Sequence, residues 1–329
     1  MADRPRNEWQ VEEGIGEHRA ILCRGGEIVA AQIDWPGKLA AGQVEDAVLV
    51  SRAKGNSRGT ARFASGEEAL VDRLPKDARE GAAIRLEIHR PAFREHGRSK
   101  MAQARPRSAD PRPAPTLAEA LRAAGHAVRI VHRFTEGDWN ALWLDAWHGR
   151  TEFSGGELAF FPTPAMTLVD VDGTVDPRSL ALAAAEALGS AIARFDLAGS
   201  IGVDFPTLQA KADRKAVDER LEGALDGWPH ERTAMNGFGF VQLVARLERA
   251  SLLHRIAGRR TAAAARALLR HGEAVAEPGE LLLTCHPGVG AALRDDWLEE
   301  LARRSGRRVR IETRGDLALE AGFAQAVQP

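Results

Sequence analysis

The stretch TPAMTLVDVDGT, residues 163–174, decides the fold predicted for this chain. Its apolar run ends in two carboxylates, Asp170 and Asp172, and a glycine follows them. Because side chains two residues apart on a strand point to the same face, both acids are predicted to face one way. A carboxylate at the end of a buried strand is costly unless it is paired, hydrogen-bonded or bound to a cation. The stretch therefore predicts a polar site; alternatively, one acid caps a turn and the other is solvated.

A second apolar run, SIGVDF at residues 200–205, ends in the same way with Asp204. The segment between the two runs, 178–195, is rich in alanine and favours a helix. Two apolar strands joined by a long helix are typical of buried strands in a central sheet. If the strands are neighbours, three carboxylates converge at one edge of the sheet. Such hard oxygen ligands suit Mg²⁺ or Mn²⁺, which activates water and neutralises phosphate charge.

The rest of the chain divides around this segment. Short β-branched runs alternate with Gly and Pro turns over residues 18–90, which is typical of a small antiparallel barrel of the OB type. The fold class is therefore predicted to be α/β (α+β), with four regions: an OB-type barrel at 1–93, a basic Pro/Arg-rich linker at 94–116, a mixed α/β region at 117–272 and a small α/β lobe at 273–329.

Hydrophobic periodicity and capping signals place the elements of the mixed region. We predict strands at 126–131, 157–161, 166–171 and 200–205, and helices at 136–147, 178–195, 211–225, 240–256 and 260–271. A further helix is predicted to begin at the capping box of Thr116 and Glu119 and to end at Gly125. One stripe of large residues, spaced by four, is predicted to pack in the core: Trp139, Trp143 and Trp147.

The composition excludes several classes of protein. The 329 residues are 44% hydrophobic and 28% charged, which is ordinary for a globular protein of about two domains. Because 45 basic residues balance 46 acidic ones, no bulk positive field demands a polyanionic partner. Cys23 and Cys285 are too few for a disulfide framework or a four-thiolate zinc site. The chain shows neither a signal-peptide core nor a membrane span, so we expect a cytoplasmic protein without a membrane partner.

The motif LVDVDGTV resembles the first motif of haloacid-dehalogenase-type phosphatases, D-x-D-G-T. That resemblance implies that Asp170 is a nucleophile and Asp172 an acid/base. The family also needs a downstream lysine and an acidic pair after a later strand. The lysines after Asp170 are Lys211 and Lys215, and neither precedes an apolar strand that ends in such a pair. The phosphatase is therefore kept as an alternative.

A longer resemblance covers about 120 residues. Four blocks are similar, in order and at about the right separations, to blocks of the ribonuclease E/G family: TEFSGGELAFFPTPAMTLVDVDG (151–173), FDLAGSIGVDF (195–205), KADRKAVDERLEGAL (211–225) and NGFGFVQLVARLERASL (236–252). The resemblance implies a catalytic region similar to deoxyribonuclease I, an OB-type RNA-binding barrel and a small C-terminal lobe. It also implies that Asp170 and Asp204 bind Mg²⁺ for hydrolysis of single-stranded RNA. Asp172 stands where the family has Asn.

The chain departs from the family pattern at several points. Pro164 replaces a Glu before the Ala-Leu pair, and Gly237 replaces the Arg of the S-R-F-G block. The C-P-x-C zinc link is absent, so we expect no zinc and no zinc-linked dimer. The family's segment that senses the 5′-monophosphate end of RNA has no counterpart. The resemblance therefore implies a short member of the family, without a small organic cofactor.

Several residues are candidates for binding RNA through charge or stacking. Phe63 and Arg62 are candidates on the barrel, although a phenylalanine at this spacing also suits a core. Lys211, Arg214 and Lys215 open the helix after Asp204; alternatively they form i,i+4 pairs with Asp218 and Glu219 on a solvated face. Residues 73–112 hold eleven Lys/Arg and five acids, which suits either a flexible tether or a track for phosphates.

These observations lead to one main hypothesis, a Mg²⁺-dependent endoribonuclease acting on single-stranded RNA. Mn²⁺ is an alternative metal. A non-enzymatic alternative is an RNA-binding protein derived from such an enzyme, because Pro164 and Gly237 replace polar family residues. Retention of Asp170, Asp172 and Asp204 favours the enzyme.

Overall fold

The computed structural model describes residues 7–53, 56–95 and 98–328, and shows a mixed α/β fold that includes a closed five-stranded barrel. The strands are β1 Glu8–Gly14, β2 Glu17–Arg24, β3 Glu27–Asp34, β4 Val44–Arg52, β5 Gly59–Phe63, β6 Glu68–Val71, β7 Ala83–Arg90, β8 Phe93–Glu95, β9 Arg98–Lys100, β10 Ala102–Pro106, β11 Ala127–Ile130, β12 Arg150–Phe153, β13 Gly156–Pro162, β14 Thr167–Gly173, β15 Gly199–Asp204, β16 His230–Arg232, β17 Phe240–Ala245, β18 Glu280–Cys285, β19 Val309–Thr313 and β20 Phe323–Val327.

The helices alternate with the strands in the second half of the chain. They are α1 Leu117–Ala123, α2 Trp139–His148, α3 Pro177–Phe195, α4 Lys211–Ala224, α5 Leu252–Arg255, α6 Arg260–Ala274, α7 Pro287–Gly290 and α8 Asp295–Ser305, with 3-10 turns at Ala257–Arg259 and Leu319–Ala321. Within the described ranges, every helix is too short or too polar to cross a membrane.

A six-stranded sheet of order β12-β13-β14-β15-β17-β16 forms the centre of the molecule. Strands β14 and β15 are parallel, and the other neighbours in this sheet are antiparallel. On β14, Thr167, Val169 and Val171 are buried, whereas the residues between them are exposed. This period of two gives the sheet one core-facing surface and one open surface.

Helix α3 connects the two parallel strands and covers the buried surface of the sheet. Its start is fixed by Asp176, whose side chain accepts from the backbone N–H of Ser179, and by Pro177 in the first turn. Its buried side includes Ala181, Ala184 and Ala185, each fully buried. Small side chains allow the helix to lie close to its neighbours, and the apolar area that it buries stabilises the parallel pair.

The N-terminal strands form a separate four-stranded sheet of order β11-β1-β2-β3. On one face Ile21 and Ile33 join the main core beside α2 and α3. On the other face Trp9 and Val11 pack against α1. Residues 8–34 therefore belong with the central sheet rather than with the barrel that was predicted to include them.

The closed barrel has the strand order β10-β6-β5-β4-β7 and its own core, which includes Leu49, Leu86 and Ile88. Strand β10 closes it by pairing in parallel with β6 and antiparallel with β7. The C-terminal strands form a sheet of order β19-β18-β20, and Leu281 and Leu283 of β18 join the main core with α6.

Two further sequence predictions differ from the structure. The segment 94–116 was predicted to be a linker, but within it Ala102–Pro106 is a strand of the barrel. Its inward residues, Ala102 and Ala104, have side chains too small to give a strong hydrophobic signal. The predicted helix 240–256 is instead strand β17 followed by the single turn α5, because pairing with β15 overrides the local helical spacing. The other helices and strands predicted for the mixed region are confirmed to within a few residues.

The role of residues 102–106 in closing the barrel is testable with two neighbouring substitutions. Ala104→Arg places a charge at a fully buried position and is expected to lower the free energy of unfolding by at least about 3 kcal/mol. Gln103→Arg, on the opposite side of the strand, should change it by less than about 1 kcal/mol. Urea unfolding followed by circular dichroism measures both. Equal, small effects would show that this segment does not close the barrel.

Candidate functional site

The open surface of the central sheet carries the three predicted carboxylates. Asp170 and Asp172 of β14 and Asp204 of β15 are all exposed, whereas Val169 and Val203 beside them are buried in the core. The acids share this surface because they occupy alternate positions of strands whose other positions face the core.

Asp170 and Asp204 are direct register partners in the parallel pair β14–β15. Neighbouring strands lie about 5 Å apart, so the two carboxylates emerge side by side from one surface. Asp172 lies two residues further along β14, so its Cα is about 7 Å from that of Asp170. Its register partner on β13 is Glu157. The structure thus brings all three predicted acids to one surface, and the charge of Asp172 acts on Asp170 more strongly than that of Asp204.

The electrostatics of this group are centred on Asp170. Partial burial is the main cause that raises the pKa of the Asp170 carboxyl, and repulsion from Asp172 and Asp204 raises it further. The backbone N–H of Val171 acts in the opposite direction by hydrogen-bonding the carboxylate. An acid that is harder to ionise because other acids are near it gains from a nearby cation.

The donor chemistry fits a hard divalent cation held by few protein ligands. Within the described residues, no group of three or more His, Cys, Asp and Glu side chains is arranged to hold a metal ion. However, Mg²⁺ usually retains several waters and is bound through one or two carboxylates. The adjacent oxygens of Asp170 and Asp204 fit that requirement, and the repulsion between them would be relieved by the ion.

The predicted basic helix has mixed roles. Arg214 donates from Nη1 to the backbone oxygens of Leu208 and Gln209, at 2.5 and 2.9 Å, and so holds the loop before α4. Lys215 Nζ lies 3.1 Å from Glu219 Oε1, which is the predicted i,i+4 pair. The alternative pair of Arg214 and Asp218 is not formed, because Asp218 pairs with Arg232. Lys211 is exposed at the first position of the helix.

The barrel residues do not form the predicted stacking site. The ring of Phe63 is 3% exposed and belongs to the barrel core, so the prediction that it stacks on RNA bases is wrong. Arg62 is exposed, and its Nε and Nη2 donate to Glu68 Oε1 at 3.0 and 2.8 Å. The barrel surface therefore keeps a charged group at this point, but no aromatic ring from Phe63.

Several arginines of the basic stretch 73–112 pair with acidic residues of the barrel. Three arginines surround the side chain of Glu87, at 3.2, 3.7 and 3.7 Å: Arg105, Arg107 and Arg112. Arg85 forms two hydrogen bonds to Asp46, which lower the pKa of that carboxyl. These contacts give the stretch a structural role that neither a free tether nor a simple phosphate track describes.

The structure adds neighbours that the sequence did not indicate. Strand β13 brings Glu157 and Phe161 to the open surface, opposite Asp172 and Leu168. Strand β17 brings Phe240 opposite Asp204. The sequence of β17, FVQLVA, is a nearly continuous apolar run, which does not by itself distinguish a strand from a helix.

The two departures from the family pattern lie in turns. Pro164 is exposed in the β13–β14 turn, where the side chain of Thr163 accepts from the backbone N–H of Met166 at 3.2 Å. Gly237 is exposed in the turn before β17, and a Cβ added there meets nothing within 4 Å. Neither replacement leaves a gap in the fold, and Gly237 has room for a larger side chain.

A separate cleft of about 510 Å³ lies between the N-terminal sheet, α2, α6 and α8. Its walls include the buried pair of Arg19 and Glu12, and Trp139. Asp170, Asp172 and Asp204 do not line it. The carboxylates therefore occupy an open sheet surface, which suits an extended substrate better than a small enclosed one.

The chain matches no protein-family model and no curated protein.

The raised pKa of Asp170 predicts a stability effect that depends on pH. When the folded-state pKa of an acid is raised, ionisation destabilises the fold, and this penalty is present above the folded pKa and absent below the unfolded one. Asp170→Asn should therefore raise the melting temperature at pH 7.5 in EDTA, with a gain that shrinks as the pH falls toward the ordinary Asp value. Thermal melting across this range measures the gain.

Asp213→Asn is the matched control, because Asp213 pairs with Arg178 at 2.9 Å rather than facing other acids. This variant should melt at or below the wild-type temperature. A gain for Asp170→Asn that is independent of pH would contradict the electrostatic origin.

Proposed function

We propose that this chain is a metal-dependent endoribonuclease that hydrolyses phosphodiester bonds of single-stranded RNA. The observation that carries the proposal is the direct pairing of Asp170 with Asp204 on an open sheet surface. Two adjacent carboxylates with one raised pKa suit a hard cation, and an open surface admits a polymer. The four-block resemblance to the ribonuclease E/G family supports RNA as the substrate.

The architecture supports the same proposal at a coarser level. We propose that the five-stranded barrel is an OB-type RNA-binding domain, because OB-folds are five-stranded barrels and many of them bind oligonucleotides. We propose that the six-stranded sheet with α3 and α4 is the deoxyribonuclease-I-like catalytic region implied by the resemblance, and that the sheet of β18, β19 and β20 is its small C-terminal lobe.

In this proposal Asp170 and Asp204 would hold Mg²⁺ through their carboxylate oxygens. When bound, such an ion would supply an activated water and positive charge beside the scissile phosphate. Asp172, exposed beside Asp170, would accept a hydrogen bond from a water held at this surface. Lys211 offers an exposed ammonium group to a neighbouring phosphate at the start of α4.

The phosphatase alternative requires a lysine and a second acidic pair near Asp170. Lys211 is exposed at the start of α4 and Lys215 is paired with Glu219, but the acidic pair Asp295 and Asp296 lies in the first turn of α8, outside the central sheet. These placements favour the nuclease. The alternative of an RNA-binding protein without catalysis retains the same surface and differs only in turnover.

One experiment separates the three alternatives. The full chain is incubated with end-labelled single-stranded RNA and Mg²⁺, with EDTA in a parallel sample and para-nitrophenyl phosphate in another. A nuclease cleaves the RNA internally and stops in EDTA, whereas a phosphatase releases nitrophenol. Binding without cleavage in a gel-shift assay would indicate the RNA-binding protein.

Removal of either paired acid should abolish most cleavage. Asp170→Asn and Asp204→Asn are each expected to slow cleavage about 100-fold or more, the size of effect typical for a directly acting electrostatic group. RNA binding should be unchanged or tighter, because the surface then repels phosphate less. Mg²⁺ should raise the melting temperature of the wild type more than that of either variant.

Asp213→Asn again serves as the control and should cleave at the wild-type rate. Asp172→Asn restores the family residue and should retain measurable cleavage with a changed Mg²⁺ requirement. Near-normal cleavage by an Asp170→Asn/Asp204→Asn double variant would show that the site lies elsewhere.

The chain should not distinguish the 5′ ends of RNA. A pocket for a terminal phosphate needs several directed donors on ordered backbone, and Arg105 of β10 and the arginines that follow it, Arg107 and Arg112, are instead grouped around Glu87. RNAs with 5′-monophosphate, 5′-triphosphate and 5′-hydroxyl ends should be cut at similar rates, and salt should slow all three together. Parallel time courses measure this. A many-fold preference for the monophosphate would reveal an end-binding site elsewhere in the chain.

A further inference from the structure

Phe238 is the most exposed large apolar side chain among the described residues, at 81%. It lies in the turn Asn236–Gly239, just before strand β17. Exposed apolar side chains are common on protein surfaces, but few are this open. The position of Phe238 beside the carboxylates makes the exposure informative.

The backbone that carries Phe238 is held in place. Asn236 Oδ1 accepts from the backbone N–H groups of Phe238 and Phe240, at 2.8 and 3.1 Å. Thr207 Oγ1 donates to the carbonyl oxygen of Phe238 at 3.3 Å. The next residue, Gly239, has φ of +92°, and a Cβ there would lie 2.3 Å from the oxygen of Phe205. The ring is therefore presented to solvent by an ordered turn.

This turn is joined directly to the carboxylate strands. The backbone N–H of Phe205 donates to the oxygen of Gly239 at 3.2 Å, and Phe240 is the register partner of Asp204. The Cα atoms of Phe238 and Asp204 are therefore separated by at most about 12 Å, from one strand spacing and two residues of chain.

The nearby ring of Phe240, in contrast, packs against the protein. A Cβ added to Gly202 would lie 2.6 Å from Phe240 Cζ and 2.9 Å from Met166 Sδ, so both side chains cover β15 at that glycine. Phe238, two residues away, has no such cover. The ring of Phe240 therefore packs on the sheet, whereas the ring of Phe238 is available to a ligand.

The chemistry of the surface favours a nucleic acid as that ligand. Carboxylates and apolar groups alternate on it, with Asp170 and Asp204 flanked by Leu168 and Phe240. A single strand of RNA likewise alternates phosphates, which reach carboxylates through cations, with unpaired bases that stack on aromatic rings. An apolar protein partner would leave these carboxylates desolvated and unpaired.

We propose that Phe238 stacks on an unpaired base close to the scissile phosphate and so fixes which phosphate lies at Asp170 and Asp204. This inference rests on the proposed nuclease function and adds a nucleobase-binding site to it. Phe238 acts as a positioning residue, since it holds the strand and takes no part in the transfer of protons.

The test measures stacking without cleavage. The full chain with Asp170→Asn, in EDTA, is titrated with short single-stranded RNAs that carry 2-aminopurine at one position, moved stepwise along the strand. Stacking changes 2-aminopurine fluorescence, and we expect one position to respond most strongly. Phe238→Ala in the same background should remove that response and weaken binding about 5-fold to 150-fold, whereas Phe238→Trp should retain both.

Phe323→Ala is the matched control, because Phe323 is 40% exposed on β20 of the C-terminal sheet and should leave the fluorescence unchanged. With Asp170 restored and Mg²⁺ present, Phe238→Ala should raise KM and spread cleavage over several phosphates. In the wild type, an abasic nucleotide at the responding position should have the same effect.

The outcomes separate this inference from the proposed function. If RNA is bound and cleaved but Phe238→Ala matches the wild type in fluorescence, affinity and cleavage positions, the stacking site is overturned and the nuclease stands. In that case a protein partner, rather than RNA, would be expected to cover the exposed ring. If the wild type neither binds nor cleaves RNA, both proposals fail.

Discussion

The parallel pairing of β14 with β15 is the constraint on which the candidate site depends. Without it Asp170 and Asp204 would not be register partners. Parallel neighbours require a long crossover, and here α3 provides it. The helix contacts the sheet through Leu180, which lies against Gly156 and Gly173, while Gly189 allows α4 to approach, since a Cβ there would lie 2.4 Å from the oxygen of Ala224. A buried helix surface thus fixes the spacing of two acids on the opposite side of the sheet.

Those parts of the fold that depend on local pattern were predictable from sequence. The alternation on β14, the apolar run of β15 and the Ala-rich α3 together predict the crossover and the two aspartates that follow from it. The capping box at Thr116 and the buried tryptophan stripe of α2 also follow from short-range spacing. Such elements are specified within about one helix or strand length, because capping and amphipathic burial act over that range.

The remainder depends on pairing between distant segments. Strand β17 has a spacing that also suits a helix, and only its ladder with β15 determines its conformation. Strand β10 has Ala102 and Ala104 between polar residues, so its composition did not predict a strand. It forms a strand because it closes the barrel. The orientation of Phe63 was also ambiguous. The sequence of a barrel strand shows which residues alternate but not which set faces inward. The acids could be predicted, whereas their neighbours on β13 and β17 could not.

The open sheet surface combines two features that a sequence selected for stability alone would avoid. Repulsion among Asp170, Asp172 and Asp204 opposes folding, and an ordered turn leaves the ring of Phe238 in water. Each feature would be removed by a single neutral or polar substitution at an exposed position, at no cost in packing. Residues that break local rules of stability tend to lie where a ligand compensates for them. Under the proposed function, a divalent cation on the carboxylates and an unpaired base on the ring would accompany the same bound strand of RNA, so one ligand would compensate for both features.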